Sequence, residues 1–218
     1  MSLQTIIDNT STLNINKRKG IGQTVSRSGH IKTSVQQGSI YRFTLSVADG
    51  LTYSTNRGLL EDLDTLDRNV EANVDIGSTN TNLSYLTAYQ GDANVTQLNA
   101  LALNSTSGAN IYVDTNSVVG TPTTLFKKGD FIQPLGNTST YRYPYQVTTD
   151  IAFSVGNVTV PVHRPILSQD GVALNTGGFR IGNNVRFHVK ALVMPTYTVV
   201  PYDRISFDND FELIEVIT

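Results

Sequence analysis

Residues Ser39–Val47 read SIYRFTLSV, and their alternation decides the fold class. Tyr41, Phe43, Leu45 and Val47 fall on one side of an extended chain, and Ile40, Arg42, Thr44 and Ser46 on the other. Side chains of a β-strand alternate with period two, so the pattern describes a strand with one buried face. Val185–Val193, VRFHVKALV, repeats it, with Val185, Phe187, Val189, Ala191 and Val193 together and Arg186, His188 and Lys190 opposite. Shorter stretches of the same kind occur at Thr12–Ile15, Ile111–Val113, Phe131–Gln133, Tyr145–Thr148, Val158–Val162 and Phe211–Val216. Turn residues punctuate them at Asp49-Gly50, Gly136-Asn137 and Thr176–Gly178.

The composition agrees with many short strands. The chain has 218 residues, enough for one well-filled core or two small subdomains sharing one. Only 16% of residues are charged and 39% hydrophobic, the polar remainder being rich in Thr (27), Asn (19) and Ser (17). Thr favours strands, while Asn and Ser favour turns. Val, Ile, Tyr and Phe run through the whole length, which argues against disorder. A net charge of −2 argues against a general nucleic-acid binder, whose footprint is basic. With no cysteine, disulfides and thiolate metal sites are excluded. MSLQTIIDNT lacks a basic segment followed by an apolar run, so no secretory leader is expected. No window approaches the roughly 18 apolar residues of a spanning helix, so no membrane insertion is expected.

One amphipathic helix is expected, at about 57–70. In TNRGLLEDLDTLDRNV (Thr55–Val70), Leu59, Leu60, Leu63 and Leu66 recur at helical spacing. Asn82–Leu103 allows only short helical turns, because Gly91 and several Asn interrupt it. Tyr41–Tyr53 and Val185–Tyr197 share an Arg-Phe step, alternation and a Thr-Tyr end, which suggests strands of one sheet. The expected fold is mainly β, with residues 1–80 and 181–218 forming a barrel-like core and 81–180 an inserted β subdomain.

A search for chemistry returns little. His30, His163 and His188 are far apart, with no ligand-spaced carboxylate beside them, so surface or strand positions outweigh a metal triad. Gly20–Gly22 lacks the third glycine and the strand-then-helix setting of a dinucleotide site. Neither a phosphate-binding GK[ST] loop nor a G-x-S-x-G elbow occurs. No catalytic residue, metal ligand or cofactor site is expected.

Charge is nevertheless segregated. Between Asp8 and Asp49 there is no acid, but there are Lys17, Arg18, Lys19, Arg27, Lys32 and Arg42. Glu61, Asp62, Asp64, Asp67, Glu71 and Asp75 then follow with Arg68 as the one base among them. Two readings stand: separate solvated patches, or complementary surfaces that meet between subunits.

The second half carries a resemblance. GANIYVDTNSVVGTPTTLFKKGDFIQPLG, YRYPYQVTTDI, NVTVPVHRPIL, VRFHVKALV and FDNDFELIEVI follow one another in order. This series resembles the distal tail and baseplate proteins of tailed bacteriophages, including small tail-hub proteins. Its steps are Lys128-Gly129-Asp130-Phe131-Ile132, Tyr145–Thr148, Pro161–Leu167 and Phe207–Glu215. Each is weak alone, and their order is the signal. The likeness covers Ser39–Glu215, most clearly from Gly108 onward, and Asn73–Leu103 departs from it. It implies a tail-tube-like β-barrel and a virion protein assembled in the host cytoplasm. It also implies a ring, commonly of six copies, joining the tail tube to baseplate or tip proteins. DNA would at most pass through the lumen. Gly129 and Asp130 read as a structural turn, with Tyr141, Tyr143 and Tyr145 packing on the return. The basic segment Ser11–Lys32 reads as an arm or long loop that meets a neighbour's acidic helix. The alternative is a carbohydrate-binding β-sandwich of a phage tail, for which ten Tyr speak and the lack of Trp speaks against.

Overall fold

The computed structural model describes residues 3–25, 31–47, 51–65, 71–78, 80–135, 143–167 and 177–217, with the backbone alone at 18–25, 31–38, 59 and 62. The first elements are helix α1 (Gln4–Asp8), the long strands β1 (Thr10–Val25) and β2 (Ile31–Val47), helix α2 (Tyr53–Thr65) and β3 (Glu71–Asp75). A 3-10 turn at Thr81–Leu86 and helix α3 (Val95–Asn99) lead into β4 (Ala102–Ser107), β5 (Asn110–Asp114), β6 (Thr124–Phe126) and β7 (Phe131–Pro134). Then come β8 (Tyr145–Gln146), β9 (Ile151–Ala152), β10 (Asn157–Pro161) and β11 (Phe179–Ile181). The chain returns through β12 (Arg186–Val193), β13 (Tyr197–Val200), β14 (Arg204–Phe207) and β15 (Phe211–Glu215). The fold is mainly β.

The principal sheet is antiparallel, in the order β1-β2-β15-β12-β3. Its inner face is made by the alternation of each strand. Leu13 and Ile15 stand opposite Leu45 and Phe43, and Phe211, Leu213, Phe187, Val189 and Val74 continue the layer. β2 and β12 share the sheet with β15 between them, and Phe187 meets the rings of Tyr41 and Phe43 edge-on at 5.2 and 5.0 Å. His188 keeps the polar face that alternation gives it, beside Asn73 of β3. It is buried, with its ring nitrogens 3.2 Å from Asn73 Oδ1 and 3.1 Å from Glu71 Oε2 on adjacent β3.

The sheet stays open. Among the described residues β1 and β3 are edges that do not pair with each other, so the barrel expected from the sequence is not formed. The reason lies in what covers the inner face: Leu3, Ile6 and Ile7 of α1, Leu83 of the 3-10 turn and Phe131 of β7 fill it. A sheet whose apolar face is already buried gains nothing by closing on itself.

The long loop expected over Ser11–Lys32 is not found in its described part: 11–25 belong to β1 and 31–32 open β2, while 26–30 lie outside the described residues. β1 and β2 pair from Thr10↔Val47 to Val25↔Ile31, a ribbon whose base is core and whose far part pairs with no other strand among the described residues. Strand rise makes that far part roughly 25–30 Å long. The amphipathic helix occurs as α2, where Leu60 is buried and Leu63 packs against the core; residues 66–70 lie outside the described residues.

A second core belongs to residues 93–181. Sheets β10-β5-β4, β11-β7-β8 and β6-β9 surround Ile111, Val113, Leu125, Phe126, Ile132, Tyr145 and Val160. β7 is a wall common to both cores. Phe131 packs in the first and Ile132 in the second, while Gln133 exchanges hydrogen bonds with the Arg186 backbone at 2.7 and 2.9 Å.

The two crossings between the cores run side by side. Thr87 Oγ1 donates to Asn183 Oδ1 at 2.8 Å, and Gly182 lies against the backbone of Tyr89. Gly182 has φ +60°, and a Cβ there would stand 2.9 Å from the Tyr89 nitrogen. Gly108 has a similar φ of +56°, with open space around it. Gly182→Ala should therefore cost about 1–3 kcal/mol more than Gly108→Ala in urea unfolding, because only the former adds overlap to backbone strain. Equal losses would show that the crossings tolerate separation.

Candidate functional site

The residues singled out for assembly fall on two surfaces. Lys17 is on the inner side of β1, opposite Tyr41, and its ammonium donates to Gln146 Oε1. Burial, then the neighbouring Lys128, lowers its pKa. Arg18, Lys19 and Lys32 continue the ribbon, paired with Ile40, Ser39 and Thr24, while Arg27 lies outside the described residues. Glu61 and Asp64 are exposed on α2, Asp62 is on the same helix, and Asp67 lies outside the described residues. Asp64 accepts a hydrogen bond from the Tyr197 hydroxyl at 2.8 Å, which raises the pKa of that phenol. Asp203, in the β13–β14 turn, caps α2 through Ser54 N at 2.9 Å and Ser54 Oγ at 2.5 Å. Among the described side chains, Lys17 and Arg42 of the ribbon make no ion pair with the helix.

At the Gly129–Asp130 turn, Gly129 has φ +104° and Asp130 is buried. The two Asp130 carboxylate oxygens accept from Gln90 N and Lys127 N, each at 2.8 Å. Burial raises the Asp130 pKa, against the pull of those hydrogen bonds. The turn thus aims β7 between the cores and holds the crossing segment at Gln90.

A second group was missed in the sequence. Arg164 and Glu215 form a bidentate pair, Nη1–Oε2 and Nη2–Oε1 both at 2.6 Å, with side chains 1% and 0% exposed. Arg164 also donates to Ser39 O at 2.8 Å and Pro144 O at 3.2 Å, and Tyr41 N donates to Glu215 Oε2 at 3.1 Å. The guanidinium lies over the rings of Tyr41, Tyr143 and Tyr145 at 5.3–5.7 Å. Burial opposes its charge, but the hydrogen bonds and field of Glu215 outweigh that and raise its pKa. Tyr143 and Tyr145 therefore pack around a cation, while Tyr141 lies outside the described residues. The signal was present in FELIE: alternation puts Glu215 in line with Phe211 and Leu213, and a carboxylate on a buried face requires a cation.

Beside this pair, His163 Nδ1 accepts from Gln146 N at 3.0 Å. Its pKa falls to about 3 through burial, then through Arg164 and Lys17, so the ring is neutral near pH 7. A cleft of about 410 Å³ opens between the ribbon and β7–β8. Leu13, Ile15, Leu86 and Phe131 give it apolar walls, and Lys17, Gln146 and Tyr41 stand at one end. Among the described residues no helix is long and apolar enough to cross a membrane, and no three His, Asp or Glu side chains could hold a metal ion together. No family model matches the sequence, and no curated protein is significantly similar to it.

Breaking the buried pair should be severe. Arg164→Met or Glu215→Leu alone should cost about 3–5 kcal/mol, by leaving a buried charged partner unpaired. Arg164→Met with Glu215→Leu should recover much of that in a denaturant double-mutant cycle. Additive losses would show that the two act independently.

His163 predicts a pH dependence. Its folded pKa lies below the ordinary 6.5, so the unfolded chain takes up the proton first as pH falls. Its contribution is whole above pH 6.5 and is lost towards pH 3. His163→Asn keeps an acceptor for Gln146 N and cannot titrate. The drop in urea midpoint between neutral and acidic pH should shrink in that variant, and an unchanged drop would refute the assignment.

Proposed function

We propose that the chain is a structural virion protein that forms a ring in the baseplate or distal tail of a tailed bacteriophage. In this reading it is tail-tube-like, commonly with six copies, and connects the tail tube to baseplate or tip proteins. It performs no catalytic step. The ordered motif series from Gly108 to Glu215 supports the placement in a tail. One structural observation carries the assembly part: a long ribbon, basic in sequence, whose far part pairs with no other strand among the described residues, and a separate helix that exposes Glu61 and Asp64. A contact that repeats one ribbon on one neighbouring helix is heterologous, and closes a ring when its rotation allows. The carbohydrate-binding reading has weaker support, because Tyr41, Tyr143 and Tyr145 are buried around Arg164 and form no exposed platform.

Light scattering after size exclusion, with negative-stain images, tests the ring. Arg18, Lys19 and Lys32 changed together to Glu should weaken assembly about tenfold, since each exposed pair contributes only ~0–1 kcal/mol. Lys17 is left intact in that test because it bonds to Gln146. Reversal of Glu61, Asp62 and Asp64 to Lys in the same chain should restore part of the loss. A wild-type chain that stays monomeric alone and with tail-tube protein would overturn the proposal. So would a triple variant that assembles normally at low and high salt.

A further inference from the structure

The cleft has a chemistry that the assembly reading does not use. Four of its lining residues are hydrocarbon in character and come from separate elements: Leu13 and Ile15 of β1, Leu86 of the 3-10 turn and Phe131 of β7. Its polar end is made of groups that donate. Lys17 spends one N–H on Gln146 Oε1, and Gln146 Nε2 is itself committed to Gly129 O at 3.0 Å. The ammonium keeps further donors, and among the described residues it has no ion-pair partner. Tyr41, 1% exposed, forms part of the lining, and its hydroxyl makes no hydrogen bond to the protein.

The surroundings reinforce the same sign. His163, whose ring centroid is 5.2 Å from that of Tyr41, accepts at Nδ1. Its proton is therefore on Nε2, and that buried nitrogen also has no partner. Lys128 is close enough to lower the proton affinity of Lys17, and among the described residues no acid lines the cleft. A buried donor without an acceptor costs free energy, and several donors around one apolar space ask for one kind of group. That group is an anion with acceptor oxygens on a hydrocarbon body. The volume of about 410 Å³ is near the lower end of small-molecule sites, which run from roughly 300 to 1,000 Å³.

We propose that this cleft binds a small apolar carboxylate. Its head lies against the Lys17 ammonium and the Tyr41 hydroxyl, and its hydrocarbon lies against Leu13, Ile15, Leu86 and Phe131. The apolar walls separate this ligand from a bare anion, and the donor cluster separates it from a neutral lipid or alcohol.

Saturation-transfer NMR on the full chain, which works for a monomer or a ring alike, would use hexanoate, 1-hexanol, acetate and inorganic phosphate as probes. Hexanoate should bind saturably, and each of the other three at least about tenfold more weakly, since a charge-assisted hydrogen bond and apolar burial are both required. Lys17→Gln should weaken hexanoate about tenfold while leaving 1-hexanol unchanged. Tyr41→Phe keeps the ring, removes only the hydroxyl and should weaken hexanoate severalfold. It serves as the deciding variant if Lys17→Gln alters the melting temperature. Absence of saturable hexanoate binding overturns the proposal. So does equal binding of hexanol or phosphate, or hexanoate affinity that is unchanged in the folded variants.

Discussion

The bidentate contact between Arg164 and Glu215 is the constraint on which the rest depends. Neither side chain is exposed, so both charges have left water, and a bare pair would not repay that loss. Here the remaining valences are used, save Arg164 Nε, which has no hydrogen-bond partner among the described residues. Two carbonyls accept from the guanidinium, a backbone N–H donates to the carboxylate, and three tyrosine rings flank the cation. These partners belong to different parts of the chain. Glu215 is on a central strand of the main sheet, Ser39 and Tyr41 are on β2, and Pro144 and Arg164 belong to the second unit. One interaction therefore fixes how the two cores meet, and with that the shape of the cleft between them.

The second unit is inserted at little geometric cost because its two crossings are adjacent. The segments at Thr87–Tyr89 and Gly182–Asn183 touch and share a hydrogen bond, so a body of many residues enters and leaves through one narrow gate. β7 then returns from that body to finish the first core with Phe131. The first sheet takes part of its cover from the insertion and the rest from α1 and Leu83, which is why it has no need to curl into a closed barrel.

Legibility in the sequence followed the range of the interactions. Strand faces in SIYRFTLSV and VRFHVKALV were readable because alternation is local, and the Gly129–Asp130 turn because Asp130 bonds to Lys127 N within it, whereas its second bond, to the distant Gln90, was not readable. The far ribbon was not readable. KRKGIGQTVS and HIKTSVQQGS are polar at nearly every position, so no apolar period marks them, and their pairing comes from chain adjacency alone. β7 was readable as a strand at Phe131–Gln133, but not its place between two cores, because both of its faces are buried. Whether a sheet closes depends on what covers it, and the cleft draws on five separate elements. Both are non-local facts. Glu215 was the exception, a long-range partner whose need was visible in its own strand.

The base of the ribbon shows why an outside partner suits its far part. Past Arg42, the ribbon bonds to the second unit through Lys17 to Gln146 and Ser39 to Arg164, and to the main sheet through Tyr41 to Glu215. The direction of the ribbon is therefore set where the two cores meet, by the main sheet at its base and by the second unit beside it. Beyond those anchors, two strands pair only with each other, and an isolated two-stranded ribbon is at best marginally stable in water. Adding a third surface along either edge satisfies backbone groups and removes that weakness. A contact between copies at this place would stabilise the ribbon and the ring by the same hydrogen bonds, and the charges of Lys19 and Lys32 would then select the neighbour more than they bind it.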